Sequence, residues 1–145
     1  MRLVPPHSLW IGNAGDVRRI AALVDAGIEA VVDLAANELV ASLPREFLYL
    51  RFPLHDGAGN DQRILRAAVN SVVELLRQNI PTLVACSAGM SRSPAITAAA
   101  LAMFTGRDLN DCLKECVAVG PADVSPSLWQ EIVTSLNARD WEEIG

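Results

Sequence analysis

The chain has 145 residues, of which 51% are hydrophobic, and its 12 basic and 17 acidic side chains give a net charge of −5. This length corresponds to one ordinary domain. The apolar content does not indicate a membrane span, because the longest apolar run, Ala98 to Phe104, has seven residues and a span needs about 20. No basic segment followed by an apolar one opens the chain, and Pro5 and Pro6 lie where it would be. We therefore expect a cytoplasmic protein.

The acidic balance disfavours two classes of partner. Non-specific binding to nucleic acid or to anionic lipid depends on clustered Lys and Arg, whereas Lys114 is the only lysine. We therefore expect neither nucleic acid nor a membrane as a partner. Three cysteines, an odd number, do not indicate a set of disulfides. They are better explained as two structural thiols and one reactive thiol.

Short apolar runs alternate with amphipathic stretches along the whole chain. Predicted strands cover residues 9–11, 30–34, 47–53 and 82–85. Predicted helices begin at Asp16 and near Asp61, and three more cover residues 93–104, 109–119 and 127 to about 138. Strands that alternate with helices predict an α/β fold in which helices cover both faces of a mostly parallel sheet.

The apolar positions also predict which helix faces are buried. In the first helix, capped by Asp16 and stopped by Gly27, helical spacing selects Val17, Ile20, Ala21 and Val24. In the helix after Asp61 the stripe is Leu65, Val69, Val72, Val73 and Leu76, and in the last helix it is Trp129, Ile132, Val133 and Leu136. The helix at 93–104 is apolar on nearly every side, which predicts a central, buried position. Asp108 is the expected cap of the helix at 109–119.

The informative stretch is Cys86-Ser87-Ala88-Gly89-Met90-Ser91-Arg92-Ser93-Pro94, which lies between a predicted strand and a predicted helix. Such a loop directs several backbone N–H groups to one point, and the helix dipole adds positive potential there. The loop is therefore a candidate phosphate-binding site made by Ser87, Ala88, Gly89, Met90, Ser91 and Arg92. The same amides favour the thiolate of Cys86, which makes this residue a candidate nucleophile.

Two further side chains of this stretch suit phosphoryl transfer. Arg92, six residues after Cys86, can offer its guanidinium to two oxygens of a bound anion and so stabilise the charge of the transition state. Ser93 can donate a hydrogen bond to the cysteine sulfur, which helps most when sulfur is the leaving group. Both residues are therefore candidate catalytic residues beside Cys86.

The Cys-x5-Arg-Ser segment resembles the signature of cysteine-dependent protein phosphatases, in particular the small dual-specificity branch. Residues 9–14, Leu-Trp-Ile-Gly-Asn-Ala, resemble the opening strand motif of that branch, and residues 52–57, Phe-Pro-Leu-His-Asp-Gly, resemble its general-acid loop. Asp56 stands 30 residues before Cys86, as the acid does in the family. The resemblance implies a three-layer phosphatase-like fold with about five strands, in one catalytic domain spanning residues 1–145.

The resemblance also implies a reaction in two steps. Cys86 attacks phosphorus to form a thiophosphate ester while Asp56 protonates the departing oxygen, and Asp56 then activates the water that hydrolyses the ester. No metal or organic cofactor is needed. The expected substrates are phosphotyrosine and phosphoserine or phosphothreonine of a phosphoprotein or phosphopeptide, because the short chain leaves no room for a deep pocket specific for phosphotyrosine.

Several residues have competing interpretations. Asp61 could replace Asp56 as the acid, but its position at a helix start favours capping. His55 is more simply a solvated loop residue than a participant. Cys112 and Cys116, four residues apart, could protect an oxidised Cys86, although core packing produces the same spacing. Trp141 is expected to pack within the chain.

One position departs from the family pattern. The family usually has His immediately before the nucleophile, and this chain has Ala85. Our hypothesis is that a less braced loop stabilises the Cys86 thiolate less and weakens activity.

Other functions remain open at this stage. An arsenate reductase or a sulfurtransferase can also use a Cys-x5-Arg loop, and a phosphate-binding module would have the loop without turnover. A phosphoinositide phosphatase is disfavoured because no Lys or Arg lies between Cys86 and Arg92. An RNA 5′-phosphatase is disfavoured by the acidic balance.

Overall fold

The computed structural model describes residues 1–137. Within them, five strands form one sheet: β1 (Arg2–Leu3), β2 (Leu9–Gly12), β3 (Ala30–Ala35), β4 (Leu48–Leu54) and β5 (Thr82–Ala85). Their order across the sheet is β1-β2-β5-β3-β4. β1 is antiparallel to β2, and the other three pairs are parallel. The predicted α/β fold with a mostly parallel sheet of about five strands is confirmed, and β1 is the strand that the pattern did not predict.

Helices cover both faces of this sheet. Residues 1–137 contain α1 (Ala14–Val17), α2 (Ile20–Asp25), α3 (Gln62–Arg77), α4 (Arg92–Thr105), α5 (Leu109–Ala118) and α6 (Pro126–Leu136). The larger core joins α3 to α6 with one face of the sheet, and the smaller core joins α1 and α2 with the other. α4 lies at the centre of the larger core, where its residues 92–102 are all buried. The predicted central helix is thus confirmed.

The first predicted helix is wrong in its cap and in most of its buried face, although Val17 is buried as predicted and Gly27 follows the end of α2 as predicted. Asn13, not Asp16, is the N-cap: its side chain accepts from the Asp16 N–H at 2.9 Å, and the Asp16 carboxylate accepts from the Asn13 N–H at 2.9 Å. The segment then breaks between α1 and α2, so helical spacing does not continue from one to the other. As a result Ile20, Ala21 and Val24, which were expected in the core, are exposed, and Val24 is 59% exposed. Leu23 is the buried residue of α2.

The longer helices follow the sequence pattern closely. Asp61 caps α3 and accepts from the Arg63 N–H at 2.9 Å, and Asp108 caps α5 and accepts from the Asp111 N–H at 3.1 Å. The predicted stripe of α3 is buried except for Leu76, which is partly buried. In α6, Ile132 is buried as predicted, Trp129, Val133 and Leu136 are partly buried, and Leu128 is a buried residue that the predicted stripe missed. The expected helix end at Ala138 and the packing of Trp141 lie outside the described residues.

Parallel pairing brings the carboxyl ends of the inner strands to one edge of the sheet. Gly12 of β2 and Asp33 of β3 are both in register with Ala85 of β5. The segments that leave β2, β3, β4 and β5 therefore meet at this edge, which is where open α/β sheets bind their ligands. In residues 1–137, no helix combines the length and the apolar character that crossing a membrane would require.

Cys116 predicts how stability depends on pH. Burial, and to a lesser extent Cys112 and Glu115, raises the pKa of the Cys116 thiol from 9.0 to about 12. Between these pH values the Cys116 thiol keeps its proton in the folded state and has lost it in the unfolded state. Its contribution to the free energy of unfolding is therefore complete below about pH 9 and is lost as the pH rises toward 12. We expect the free energy of unfolding in urea to fall from pH 9 to 10.5 by at most ~1.4 kcal/mol per pH unit from this thiol.

The Cys116→Ala variant tests this assignment. It should be less stable at pH 8 but show a flatter decline above pH 9. An unchanged slope in Cys116→Ala would contradict the prediction.

Candidate active site

Four loops at the carboxyl edge of the sheet enclose a cleft of about 480 Å³. It is lined by Cys86 and residues 87, 88 and 90–92 of the loop after β5, by residues 36–37 after β3, by residues 55–56 after β4, and by Asp123. The predicted nucleophile and arginine of the loop after β5 are therefore brought together with the predicted acid, which comes from the separate segment after β4. The other two cysteines do not line this cleft.

The loop after β5 packs closely against the end of β2, where Gly89 lies next to Gly12. Gly89 has a φ of +72°, and a Cβ there would lie 2.7 Å from the Gly12 carbonyl oxygen. A side chain would therefore be strained in its backbone and would also collide with a neighbouring backbone. Glycine is required at this position for the loop to approach β2.

Cys86 lies between the end of β5 and the start of α4 and is only 2% exposed. Its N–H donates to the Gly12 carbonyl at 3.3 Å. The fully buried Ser93 hydroxyl donates to the same carbonyl, also at 3.3 Å. The predicted hydrogen bond from Ser93 to the cysteine sulfur stays a prediction, and in this state of the protein Gly12 is the acceptor.

The Arg92 guanidinium is 6% exposed and is held by neutral acceptors. One terminal nitrogen donates to the Leu54 carbonyl at 2.9 Å and to Asn37 Oδ1 at 2.9 Å, and the other donates to Ser87 Oγ at 3.1 Å. Its Nε is buried without a hydrogen-bond partner, and no carboxylate among residues 1–137 forms an ion pair with it. A buried, uncompensated cation is costly unless an anion joins it, so the site is prepared for an anionic ligand.

Asn37 is a site residue that sequence reasoning missed. Its Oδ1 accepts from both Arg92 and the Ser87 hydroxyl, the latter at 3.1 Å, and thereby links the two residues. The available signal was its position, two residues after the end of β3. Polar residues that follow parallel strands at the carboxyl edge are candidates for the site.

Asp56 is held against the phosphate loop by Ser91. The Ser91 hydroxyl donates to Asp56 Oδ1 at 2.6 Å and accepts from the Ser125 N–H at 2.9 Å. Because Ser125 uses a lone pair of the hydroxyl, the Ser91 proton is directed to Asp56. Asp56 itself lines the cleft.

The loop that carries Asp56 is fastened from within and from α6. The Asn60 side chain accepts from the His55 N–H at 2.8 Å and donates to the carbonyls of His55 and Gly57 at 3.1 and 3.0 Å. Glu131 of α6 accepts from the Gly59 N–H at 2.8 Å and from the Asn60 N–H at 3.3 Å. These bonds fix the acid loop next to the cleft. His55 itself is exposed, as expected for a solvated loop residue.

Asp61 lies outside the cleft lining. Its carboxylate caps α3, and hydrogen bonds from Arg63 lower the pKa of Asp61. The interpretation of Asp61 as a helix cap is confirmed, whereas Asp56 lines the cleft and is hydrogen-bonded to the loop residue Ser91.

Cys112 and Cys116 belong to the core between α5 and α4. Both are fully buried, and burial raises the pKa of each thiol. They are therefore protonated at neutral pH and are poor nucleophiles. The core-packing interpretation of their spacing is confirmed, and the redox interpretation gains no support.

Comparison with known proteins agrees with this geometry. The family model described as "Dual specificity phosphatase, catalytic domain" matches residues 9–128. Human dual specificity protein phosphatase 9 is 30% identical over 127 residues, which cover 83% of this chain and 32% of that protein. Human dual specificity protein phosphatase 6 is 28% identical over 126 residues, with coverage of 82% and 32%. The chain thus spans about a third of the length of these curated relatives.

Solved structures share the fold. Human DUSP28 superimposes with a TM-score of 0.85 at 23% identity, covering 98% of this chain and 99% of that one. A mouse putative dual specificity phosphatase complexed with zinc tungstate gives 0.85 at 25% identity, covering 99% and 90%. The three-layer arrangement is therefore that of known phosphatase structures. Because the matching family model spans residues 9–128, the chain belongs to the dual specificity phosphatase catalytic-domain family.

Proposed function

We propose that residues 1–145 form one catalytic domain that hydrolyses phosphomonoesters of protein side chains through a thiophosphate intermediate. The observation that carries this proposal is the buried Arg92 guanidinium, which has neutral partners and lines one cleft with Cys86 and Asp56. An anion bound there lies beside a nucleophile and a proton donor. This is the set of groups that phosphoryl transfer to cysteine requires.

In the first step, the Cys86 sulfur forms a bond to phosphorus while the bond from phosphorus to the substrate oxygen breaks. Asp56 donates its proton to that departing oxygen. Arg92 and the backbone amides of the loop hold the equatorial phosphate oxygens and stabilise their charge. Ser91 holds one oxygen of the Asp56 carboxyl group, so the proton is transferred from the other.

In the second step, the ionised Asp56 accepts a proton from a water molecule whose oxygen attacks phosphorus. The bond between sulfur and phosphorus breaks, and inorganic phosphate and the Cys86 thiolate are the products. Ser93 is the proposed donor to the departing thiolate. The Ser93 hydroxyl donates to the Gly12 carbonyl at 3.3 Å. In this step it would donate to the Cys86 sulfur instead.

The charges around the cleft support a substrate with a single phosphate. Among residues 1–137, Arg92 is the only Lys or Arg that lines the cleft, and the lining includes Asp56 and Asp123. A second phosphate would therefore meet two acidic residues there and no further Lys or Arg of the described residues. Phosphotyrosine and phosphoserine or phosphothreonine of proteins fit this arrangement better than polyphosphorylated inositol does.

The reductase alternative requires relay thiols near the nucleophile. Cys112 and Cys116 are buried in the core and do not line the cleft, so this alternative is not favoured. The proposed reaction uses side chains and backbone amides of this chain together with water. The cytoplasmic location stays a prediction from sequence.

Substitution of the nucleophile and of the acid tests the proposed reaction. Cys86→Ser should abolish measurable hydrolysis of p-nitrophenyl phosphate, and Asp56→Asn should lower kcat by about 10²–10⁴-fold because proton transfer to the leaving oxygen is lost. The loss in Asp56→Asn should be larger with phenyl phosphate, whose leaving group needs the proton more. Asp61→Asn is the matched control, since Asp61 only caps α3, and its kcat should stay within twofold. Equal turnover by the parent and Cys86→Ser would refute the proposal.

Substitution of Asn37 tests whether Arg92 must lack a carboxylate partner in order to bind the phosphate. Asn37→Asp would place a carboxylate 2.9 Å from the guanidinium, where it would compete with the substrate. We expect KM for p-nitrophenyl phosphate to rise at least tenfold, consistent with the ~1.5–3 kcal/mol of a charged hydrogen bond. Asn37→Ala removes the acceptor without adding charge and should raise KM less. A KM that rises equally in both variants would show that Asn37 only maintains the shape of the loop.

Ala85 tests the effect of the missing histidine. Ala85 is fully buried beside the register partners Gly12 and Asp33, so Ala85→His should cost roughly 1–3 kcal/mol of stability through overpacking. In the folded variant, we expect the pH midpoint of inactivation by iodoacetamide to move to lower pH and kcat/KM to increase. Ala85→Val is the control for added bulk and should leave the midpoint unchanged. An unchanged or higher midpoint in Ala85→His would argue against the hypothesis.

A further inference from the structure

Three carbonyl groups of the phosphate loop are bound by donors from outside it. The Ser87 carbonyl accepts from the Ala14 N–H at 3.1 Å, and the Met90 carbonyl accepts from the Asp123 N–H at 2.8 Å. The Gly89 carbonyl accepts from a terminal nitrogen of Arg2 at 2.7 Å. These bonds hold the loop peptides at three points, from three separate segments of the chain.

The orientation of each carbonyl determines where the next amide points. In a planar trans peptide, the C=O of one residue and the N–H of the next point in opposite directions. When Arg2 holds the Gly89 carbonyl, the Met90 N–H is directed away from Arg2. Met90 lines the cleft, so this amide is positioned for an anion bound there.

The surrounding backbone holds the Arg2 side chain in place. Its side chain lies across Gly120, where a Cβ would stand only 2.0 Å from Arg2 Cδ. The nitrogen that binds Gly89 also donates to the Pro121 carbonyl at 3.2 Å, and the Arg2 Nε is buried without a hydrogen-bond partner. Glycine at position 120 is thus what allows the guanidinium to reach the loop.

Arg2 also adds positive charge behind the loop. No carboxylate among residues 1–137 forms an ion pair with it. Its charge is therefore directed at the Gly89 peptide through a charge-assisted hydrogen bond. In a chain with a net charge of −5, such a local cation offsets the unfavourable potential that a phosphate meets.

We propose that Arg2 is a positioning residue for phosphate binding. It fixes the Gly89–Met90 peptide with its N–H toward the anion and supplies a second positive charge behind the loop. This inference rests on the proposed function of the loop. Arg2 lies far from the signature segment in sequence, 87 residues from Gly89, and acts on the substrate only through the backbone.

Phosphate affinity can be measured without turnover. Inorganic phosphate should protect Cys86 from alkylation by iodoacetamide, and the concentration dependence of protection gives a Kd, with the modified peptide identified by mass spectrometry. We expect Arg2→Met to raise this Kd about tenfold, because the charge-assisted hydrogen bond that holds the Gly89 carbonyl is lost. Arg2→Lys retains a cationic donor and should raise the Kd less than threefold.

Two further variants separate positioning from other effects. Gly120→Ala keeps the arginine but displaces its side chain, so it should raise the Kd as Arg2→Met does, and it remains informative if Arg2→Met fails to fold. Arg45→Met removes the same charge from an exposed loop position and should leave the Kd unchanged. Thermal unfolding of each variant accompanies these measurements, because a merely structural role would lower Tm without changing the Kd of the folded protein.

The outcomes distinguish this inference from the proposed function. A Kd in Arg2→Met and Gly120→Ala equal to that of the parent would overturn the role of Arg2 and leave the proposed function intact. An equal rise in Arg45→Met would also overturn it, because net charge alone would then explain the effect. If phosphate does not protect Cys86 in the parent protein, both the proposed function and the role of Arg2 fail.

Discussion

A buried guanidinium with only neutral acceptors is the constraint on which the rest of this cleft depends. Arg92 begins α4, and one of its terminal nitrogens donates both to Asn37, which follows β3, and to the carbonyl of Leu54 at the end of β4. These acceptors orient the guanidinium and do not neutralise it. The desolvation cost of the cation is therefore met in full only when an anion binds. The hydrogen bonds of Arg92 thus leave its positive charge to act on an anion at this site.

The backbone of Gly12 provides the support for this arrangement. Its carbonyl accepts from the Cys86 N–H and from the Ser93 hydroxyl, and Gly89 passes so close to it that a Cβ would not fit. The nucleophile, the proposed donor to sulfur and the middle of the loop are therefore all placed against one peptide at the end of β2. Parallel pairing of β2 with β5 sets this distance, so sheet register determines site geometry.

Local features of the fold and site could be predicted from sequence, and features that depend on distant contacts could not. The cap at Asp61, the strand at 82–85 and the loop after it each rest on a few adjacent residues, and the structure agrees with them. The division into α1 and α2 was missed because the capping box of Asn13 competes with a continuous helical pattern. Asn37 and Arg2 were missed because each acts on the loop from 55 and 87 residues away, respectively, and neither has a local signature.

The net negative charge of the chain limits which anions can use this cleft. Mobile ions screen exposed charges beyond about 8–10 Å at physiological ionic strength, so the favourable potential from Arg92 and Arg2 acts only close to the loop. Asp56 and Asp123 line the same cleft, and their negative charges act over a similarly short range on the part of the substrate next to the phosphate. A single phosphate that fills the loop keeps its oxygens near the cations and the backbone amides. Because Asp56 and Asp123 also line this cleft, a further negative group on a bound molecule would be repelled by them, which is consistent with the proposed single-phosphate substrate.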